Sequence, residues 1–451
     1  MNTRAWAPAT VAEPARAPDS STGYIADLVE GLRAEAEHEE LRLPAQLLSR
    51  FEAHPDDFAL ALGTYRSLRR HLAGGLDARY ETAAGYGSME EFWADAAAQE
   101  AGRSGAAFWD SYENGRRRRI EGQLANSFGV GEAVLVNSGM SAVDIVLRDL
   151  LQPGARLLVH DRMYFESDDL VSGIFERWGV RVARADLRDP DSIAAAIGTD
   201  PPVAALVEVA LNGPGCDVPG LEALWDRGVI TVVDTSALGS AVAGLTRHAP
   251  AETRFVESGT KYLTRQASVG VIYGWKGAAA ARRCARRTGV QLQGRALHQL
   301  RPAELTHVGR RLAIHADRLR RFVDVLSDRA PEASVRTAVD GAADRRDLLA
   351  RTVADGAAGC MAFLRLPQVG GEDLEQVYRT IVARWARRVP GRGRVRAGFG
   401  WSETTGRAYG RDALNASDGA CFARFSVGIE PPDQVEDLAD QLASTISEVC
   451  R

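Results

Sequence analysis

The chain has 451 residues, a formal net charge of −5 and a pI near 6.0, so it exceeds what one hydrophobic core usually supports and carries no global positive field to hold phosphate backbones, which argues against nucleic acid as a partner. Its five cysteines (216, 284, 360, 421 and 450) are scattered without a CxxC pair, which argues against a disulfide framework or a zinc site and for a reducing compartment, the cytoplasm. No stretch reaches the roughly 20 apolar residues of a membrane span, and the start MNTRAWAPATVAEPARAP lacks a signal-peptide core, so a protein with no membrane partner is expected.

Residues up to about Thr22 are rich in Ala and Pro without an apolar period and read as a disordered arm. Ile25, Leu28, Val29 and Leu32 then recur at helix spacing behind a Ser20-Ser21-Thr22 capping cluster, and Phe58, Leu60, Leu62, Tyr65 and Leu68 mark a second helix. After a break at Gly85, Gly87 and Ser88, a third helix is predicted over 89–99. Residues 1–110 therefore read as a helical N-terminal extension.

From about Arg116 to Gly274 short apolar runs alternate with amphipathic stretches, the pattern of a mostly parallel sheet covered by helices in an α/β fold. Strands are predicted at 133–137, 155–160, 181–186, 203–209, 229–234 and 268–274. A long helix over 302–327 opens a smaller mixed α/β region that ends in an amphipathic helix at 432–449. The resulting division is a large domain at 111–300 and a small C-terminal domain at 301–451.

Ligands of open α/β sheets lie at the carboxyl ends of strands, so residues just past each strand carry the functional signal. Asn137-Ser138-Gly139-Met140-Ser141 runs from a strand through a glycine turn into a helix, which aims the N–H groups of Gly139 and Met140 at an anion such as phosphate. The same residues equally make a capped helix start with Ser138 as N-cap. Asp234 ends an apolar strand; a carboxylate there needs a cation such as a protonated pyridine nitrogen, unless it is an ordinary N-cap. Lys261 and Lys276 are the only lysines, the other 53 of 55 basic residues being arginine. Lys261, in Glu257-Ser258-Gly259-Thr260-Lys261-Tyr262, follows an apolar run beside two hydroxyls and is placed for imine chemistry, whereas Lys276 opens a charged helix and reads as exposed. Tyr164 and Asn212, taken singly, are a packing aromatic and a turn residue.

In this order the residues resemble fold-type I pyridoxal-phosphate (PLP) enzymes, and within them the Cys/Met-metabolism or trans-sulfuration branch, from about Tyr112 to the C-terminus. The resemblance rests on Ser138-Gly139-Met140, Asp161-Arg162-Met163-Tyr164, Glu208 with Asn212, Val233-Asp234-Thr235, Ser258-Gly259-Thr260-Lys261-Tyr262, and Arg424-Phe425-Ser426-Val427-Gly428-Ile429-Glu430. It implies that Lys261 forms the Schiff base with PLP and later moves protons, that Tyr164 stacks on the ring, and that Asp234 keeps the ring nitrogen protonated. Asn212 would bond the phenolic oxygen, Ser138, Gly139, Met140, Ser258 and Thr260 would hold the phosphate, and Arg424 would grip the substrate carboxylate. Tyr112 would serve a neighbouring subunit's site, implying a homodimer or homotetramer. The implied activity is elimination or replacement at Cγ or Cβ of an amino acid, with a β-lyase or an aminotransferase as alternatives.

The departures fall around the substrate. The family's Tyr-Ser-Arg becomes Tyr112-Glu113-Asn114, and the run Arg116 to Arg119 supplies either a replacement arginine or a solvated helix face. The family's Ser-Leu-Gly-Gly becomes Gly398-Phe399-Gly400-Trp401, with two large aromatics, and Gly-His-Ser-Asp after the lysine becomes Arg265-Gln266-Ala267-Ser268. With the extension, these changes point to a specialised role such as γ-elimination in making an unusual amino acid.

Overall fold

The computed structural model describes residues 21–39, 41–81, 90, 115–264, 267–274, 277–343, 345–366, 373–410 and 421–450. The expected arm before Ser21, all but one residue of the expected helix at 89–99, Tyr112, Lys276, Arg265 and Gln266 lie outside the described residues.

Seven strands form the larger sheet: β1 (Glu132–Val136), β2 (Arg156–His160), β3 (Arg181–Ala185), β4 (Ala204–Glu208), β5 (Ile230–Asp234), β6 (Arg254–Ser258) and β7 (Gly270–Gly274), in the order β1-β7-β6-β5-β4-β2-β3. All pairs are parallel except those of β7, which runs antiparallel to β1 and β6. The apolar runs are continuous because both faces are covered. Val134, Leu157, Val159 and Leu206 enter one apolar layer, while Leu135, Leu158, Ala205 and Val207 enter the other. Strand β6 had no counterpart among the predicted strands. Its Arg254 and Glu257 interrupt the apolar signal, yet Glu257 is fully buried and accepts a 2.9 Å bond from the Tyr273 hydroxyl on β7.

The second sheet joins β8 (Ser334–Arg336), β9 (Met361–Arg365), β10 (Arg394–Val395), β11 (Thr405–Tyr409) and β12 (Phe422–Ser426) in the order β10-β11-β12-β9-β8. The predicted helix at 302–327 is two helices, Pro302–Thr306 and Val308–Arg329, because His307 leaves helical geometry (φ −103°, ψ 9°). The closing helix, Pro432–Val449, matches its predicted bounds and packs on Val308–Arg329 through Leu438, Leu442 and Ile446.

Near the N-terminus lie α1 (Ser21–His38), α2 (Ala45–Ala53) and α3 (Phe58–Glu81). Ser21 is already helical and is no free cap: its hydroxyl donates to the Glu430 carbonyl (3.2 Å) and accepts from Arg318 (2.9 Å). Sequence periodicity missed α2 because Phe51 is its one buried residue. The apolar faces of α1 and α3 close on Ile314 and Ile429, so these helices are docked on the rest of the chain. Docking also settles the arginine run on the helix Gly115–Phe128. Arg116 pairs with Glu35 (3.2 Å) and Glu39 (2.8 Å) of the N-terminal region, and Arg117 donates to the Leu292 carbonyl (2.7 Å). Both are buried and only Arg118 and Arg119 face solvent, so the run is not a uniformly solvated face. No described helix is long and apolar enough to cross a membrane.

Candidate active site

Parallel pairing puts the carboxyl ends of β1, β2, β4, β5 and β6 on one edge, and the residues singled out from sequence gather there. Ser138 and Gly139 follow β1, Tyr164 follows β2, Asn212 follows β4, Asp234 ends β5, and Ser258 ends β6 with Lys261 three residues on. Ser138, Gly139, Met140, Tyr164, Asn212, Asp234, Ser258, Thr260 and Lys261 are all partly exposed, as residues lining a cleft must be.

At β1 the two readings of the turn hold together. Ser138 is the N-cap of the helix Gly139–Leu150 and accepts the Ser141 N–H at 3.0 Å. Gly139 and Met140 thereby occupy the first turn, where N–H groups have no helical acceptor and suit an anion. The turn is pressed against the neighbouring strands. A Cβ on Gly139 would lie 2.8 Å from the Ser258 Cβ, and one on Gly270 would lie 2.0 Å from the Ser138 carbonyl oxygen. Ser138, Gly139 and Ser258 thus form one cradle, which only glycine at 139 leaves open. On its far side the Val269 N–H donates to the Thr260 hydroxyl (3.2 Å).

Asp234 is not a helix cap: its Oδ1 accepts the N–H of Ser236 at 2.8 Å, closing a local turn. Ser236 was not singled out from sequence, yet its hydroxyl also accepts the Ser258 N–H (2.7 Å) and so fixes the ends of β5 and β6 together. A small hydroxyl residue two positions after a strand-end acid is the signal that could have found it. Glu208 lies beside Asp234 in register on β4 and accepts the Tyr164 N–H at 2.9 Å. Burial, then the Asp234 charge, pushes the Glu208 carboxyl up to about 8. Burial also raises Asp234, and raises Glu257 to about 7. Three strand-end carboxyls are thus short of positive charge, and a group carrying a protonated ring nitrogen supplies what this edge lacks.

Lys261 sits in a π-helical turn, Thr260–Thr264, in which the Thr264 N–H reaches back to the Gly259 carbonyl (2.9 Å). Burial, with the Arg424 charge adding to it, holds its amine below the ordinary lysine range, which favours the uncharged nucleophile. Its Nζ lies 5.2 Å from the centre of the Phe399 ring.

Arg424 comes from β12 and is buried at 3% exposure between the rings of Phe399 (5.5 Å) and Tyr409 (5.1 Å). It donates to Asn212 Oδ1 (2.6 Å) and to the Gly398 carbonyl (2.7 Å). These bonds orient the guanidinium and occupy the Asn212 oxygen. Tyr164 packs edge-on against Phe165 at 4.7 Å, its phenol raised by burial and then by Glu166. Phe399, one of the two aromatics that depart from the family pattern, and Tyr409, which was not singled out from sequence, are thus what holds the arginine. A glycine cradle, an under-compensated carboxylate and an amine of lowered basicity are together the donor set that PLP requires.

Residues 87–297 match the model of the Cys/Met metabolism PLP-dependent enzymes. Cystathionine gamma-synthase of Mycobacterium tuberculosis is 34% identical over 84 residues, covering 19% of this chain and 22% of the relative. Cystathionine beta-lyase of Neurospora crassa is 26% identical over 195 residues, covering 41% of each chain. The matches therefore span about a fifth to two fifths of the length of these relatives. The fold is that of cystathionine gamma synthase from Xanthomonas oryzae pv. oryzae, with a TM-score of 0.61 at 20% identity over 75% of this chain and 88% of that one. Through residues 87–297, which carry the strand-end site from Ser138 to Lys261, this chain is similar to the Cys/Met metabolism family of PLP-dependent enzymes.

Proposed function

We propose that the protein is a PLP-dependent lyase or transferase that eliminates or replaces a substituent at Cγ of an amino acid, with Lys261 as the residue that binds the cofactor and moves protons. The observation that carries this reading is the convergence of the Lys261 amine and the Arg424 guanidinium on one Phe399 ring, at 5.2 and 5.5 Å. That spacing lets one residue hold a substrate carboxylate while the other works on the adjacent carbons.

Arg424 offers two parallel N–H bonds to the α-carboxylate, a geometry a lysine lacks. Asp234 would accept from the ring N–H of the cofactor, Asn212 would donate to its phenolic oxygen, Tyr164 would pack on its ring, and the cradle of Ser138, Gly139, Met140, Ser258 and Thr260 would take the phosphate. Bound PLP supplies an electron sink conjugated to the α-carbon. Lys261 removes the proton at Cα and then one at Cβ, the second step being what departure of a γ-substituent needs. Tyr112 contributes from a neighbouring subunit, so the working unit is a homodimer or homotetramer in the cytoplasm. The aromatic loop at Phe399 and Trp401 and the docked helices α1 to α3 fit a specialised substrate leading to an unusual amino acid.

Turnover of γ- and β-substituted amino acids in deuterium oxide tests the assignment. A γ-eliminating enzyme exchanges Cβ hydrogens and yields an unsaturated or 2-oxo product of four or more carbons. Exchange at Cα alone, with β-substituted substrates giving pyruvate at higher kcat/KM, would replace it with a β-lyase like the Neurospora crassa relative. Formation of an amino-group-transfer product alone would replace it with an aminotransferase.

A further inference from the structure

A second cavity, of about 440 Å³, opens on the other side of the Gly398 to Trp401 loop. It is lined by Arg66 and Arg69 of α3, by Thr264 at the end of the Lys261 turn, and by Arg394, Arg396 and Trp401. It exists because the N-terminal helices dock against the second sheet.

Its charges do not balance. Arg69 is spent on Glu304, at 2.6 Å. Arg66 pairs with Glu403 at 2.7 Å, and Arg394 reaches the same carboxylate at 3.5 Å. Arg396 lies 4.3 Å over the Trp401 ring and has no carboxylate ion pair among the described residues. Among the described residues three guanidinium groups therefore face one acid, an excess of two positive charges. Burial favours the neutral form of Glu403, but Arg66, Arg394 and Arg396 outweigh it and hold the carboxyl below its ordinary range. A cation–π contact with Trp401 does not consume the N–H donors of Arg396.

The loop keeps this hollow apart from the Lys261 site. Phe399 faces Lys261, and Trp401 faces the cavity. Between them Gly400 is left-handed (φ 75°), and a Cβ there would lie 2.7 Å from the Lys261 carbonyl oxygen. Backbone at Gly400 and Lys261 thus walls one site from the other.

We propose that this cavity is a second binding site, taking a small dianionic molecule that carries two carboxylate or phosphoryl groups between Arg66, Arg394 and Arg396. Isothermal titration of the PLP-loaded protein with pyrophosphate and with succinate, at constant ionic strength, tests it. We expect saturable 1:1 binding of at least one of the two, with Kd at or below about 1 mM. Preference for pyrophosphate identifies a phosphorylated ligand and preference for succinate a dicarboxylic one, and either supports the site. The double variant Arg394→Gln/Arg396→Gln should weaken binding at least tenfold while keeping the visible absorption of the bound cofactor, and Arg396→Lys should restore most of the loss. Absence of saturable binding by both ions, or undiminished binding in the double variant, overturns the proposal. A failed γ-elimination assay leaves this readout untouched.

Discussion

Where α1 docks, Glu35 meets Arg116 at 3.2 Å and Arg301 at 3.0 Å, and Glu304 takes Arg69 at 2.6 Å, so each buried charge faces an opposite one. At the carboxyl edge of the seven-stranded sheet, Glu208 and Asp234 lie in register and Glu257 follows on β6, all three carboxyls with raised pKa values, and Lys261 has its amine lowered. The first region is matched within the chain and serves docking. The second is matched only when something else arrives, and such imbalance is the physical mark of a binding site. Arginine serves both regions, but differently: buried in ion pairs at the docking surface, held between two aromatic rings at Arg424.

The comparison breaks most severely at Lys261. Lys261→Ala should abolish turnover and the borohydride-stable attachment of PLP, while Lys276→Ala keeps both; mass spectrometry of the reduced protein reads the difference. Next comes the carboxylate edge. Asp234→Ala should lower kcat/KM by about tenfold or more, since each pKa unit of support for a protonated ring nitrogen is worth about 1.4 kcal/mol. Full activity in that variant would reduce Asp234 to the turn it closes with Ser236.

The docking surface should respond in stability. Glu35→Gln leaves Arg301, which is wholly buried, without its carboxylate, and should cost about 3–5 kcal/mol in urea unfolding while the cofactor absorption of the folded protein stays the same. A smaller effect sharpens the contrast from the other side. Glu208 is raised on folding from its ordinary value near 4.5 to about 8. A carboxyl raised on folding holds its proton more tightly in the folded chain, so its contribution is whole below about 4.5 and is lost as pH climbs toward about 8. The urea midpoint of the cofactor-free protein should therefore fall between pH 5 and pH 8, and Glu208→Gln should make that fall shallower. Glu257 and Glu430, each raised to about 7, add to the slope with the same sign, as do the raised Asp234 and Glu121.

Periodicity and strand-end chemistry were enough to read the parallel sheet, the closing helix and the line from Ser138 to Arg424, because each depends on local pattern: apolar runs for strands covered on both faces, and special residues just past them. Strand β6 escaped because a buried Glu257 satisfied by Tyr273 looks, in sequence, like a surface residue. Helix α2 escaped because it buries one side chain, and the break at His307 because the nearby glycine, Gly309, lies inside the following helix and not at the break itself.

The sequence by itself determined that two lysines compete for one chemical role and that Lys261 has the setting for it. Only the tertiary structure decided that Asn212 orients Arg424, that Ser236 links β5 to β6, and that Arg116 is spent on docking α1. These are contacts between residues 22 to 212 positions apart or on neighbouring strands, and a pattern read along the chain carries no information about which distant partner completes a charge. That choice is made by packing, when the folded layers bring the two groups out of water together.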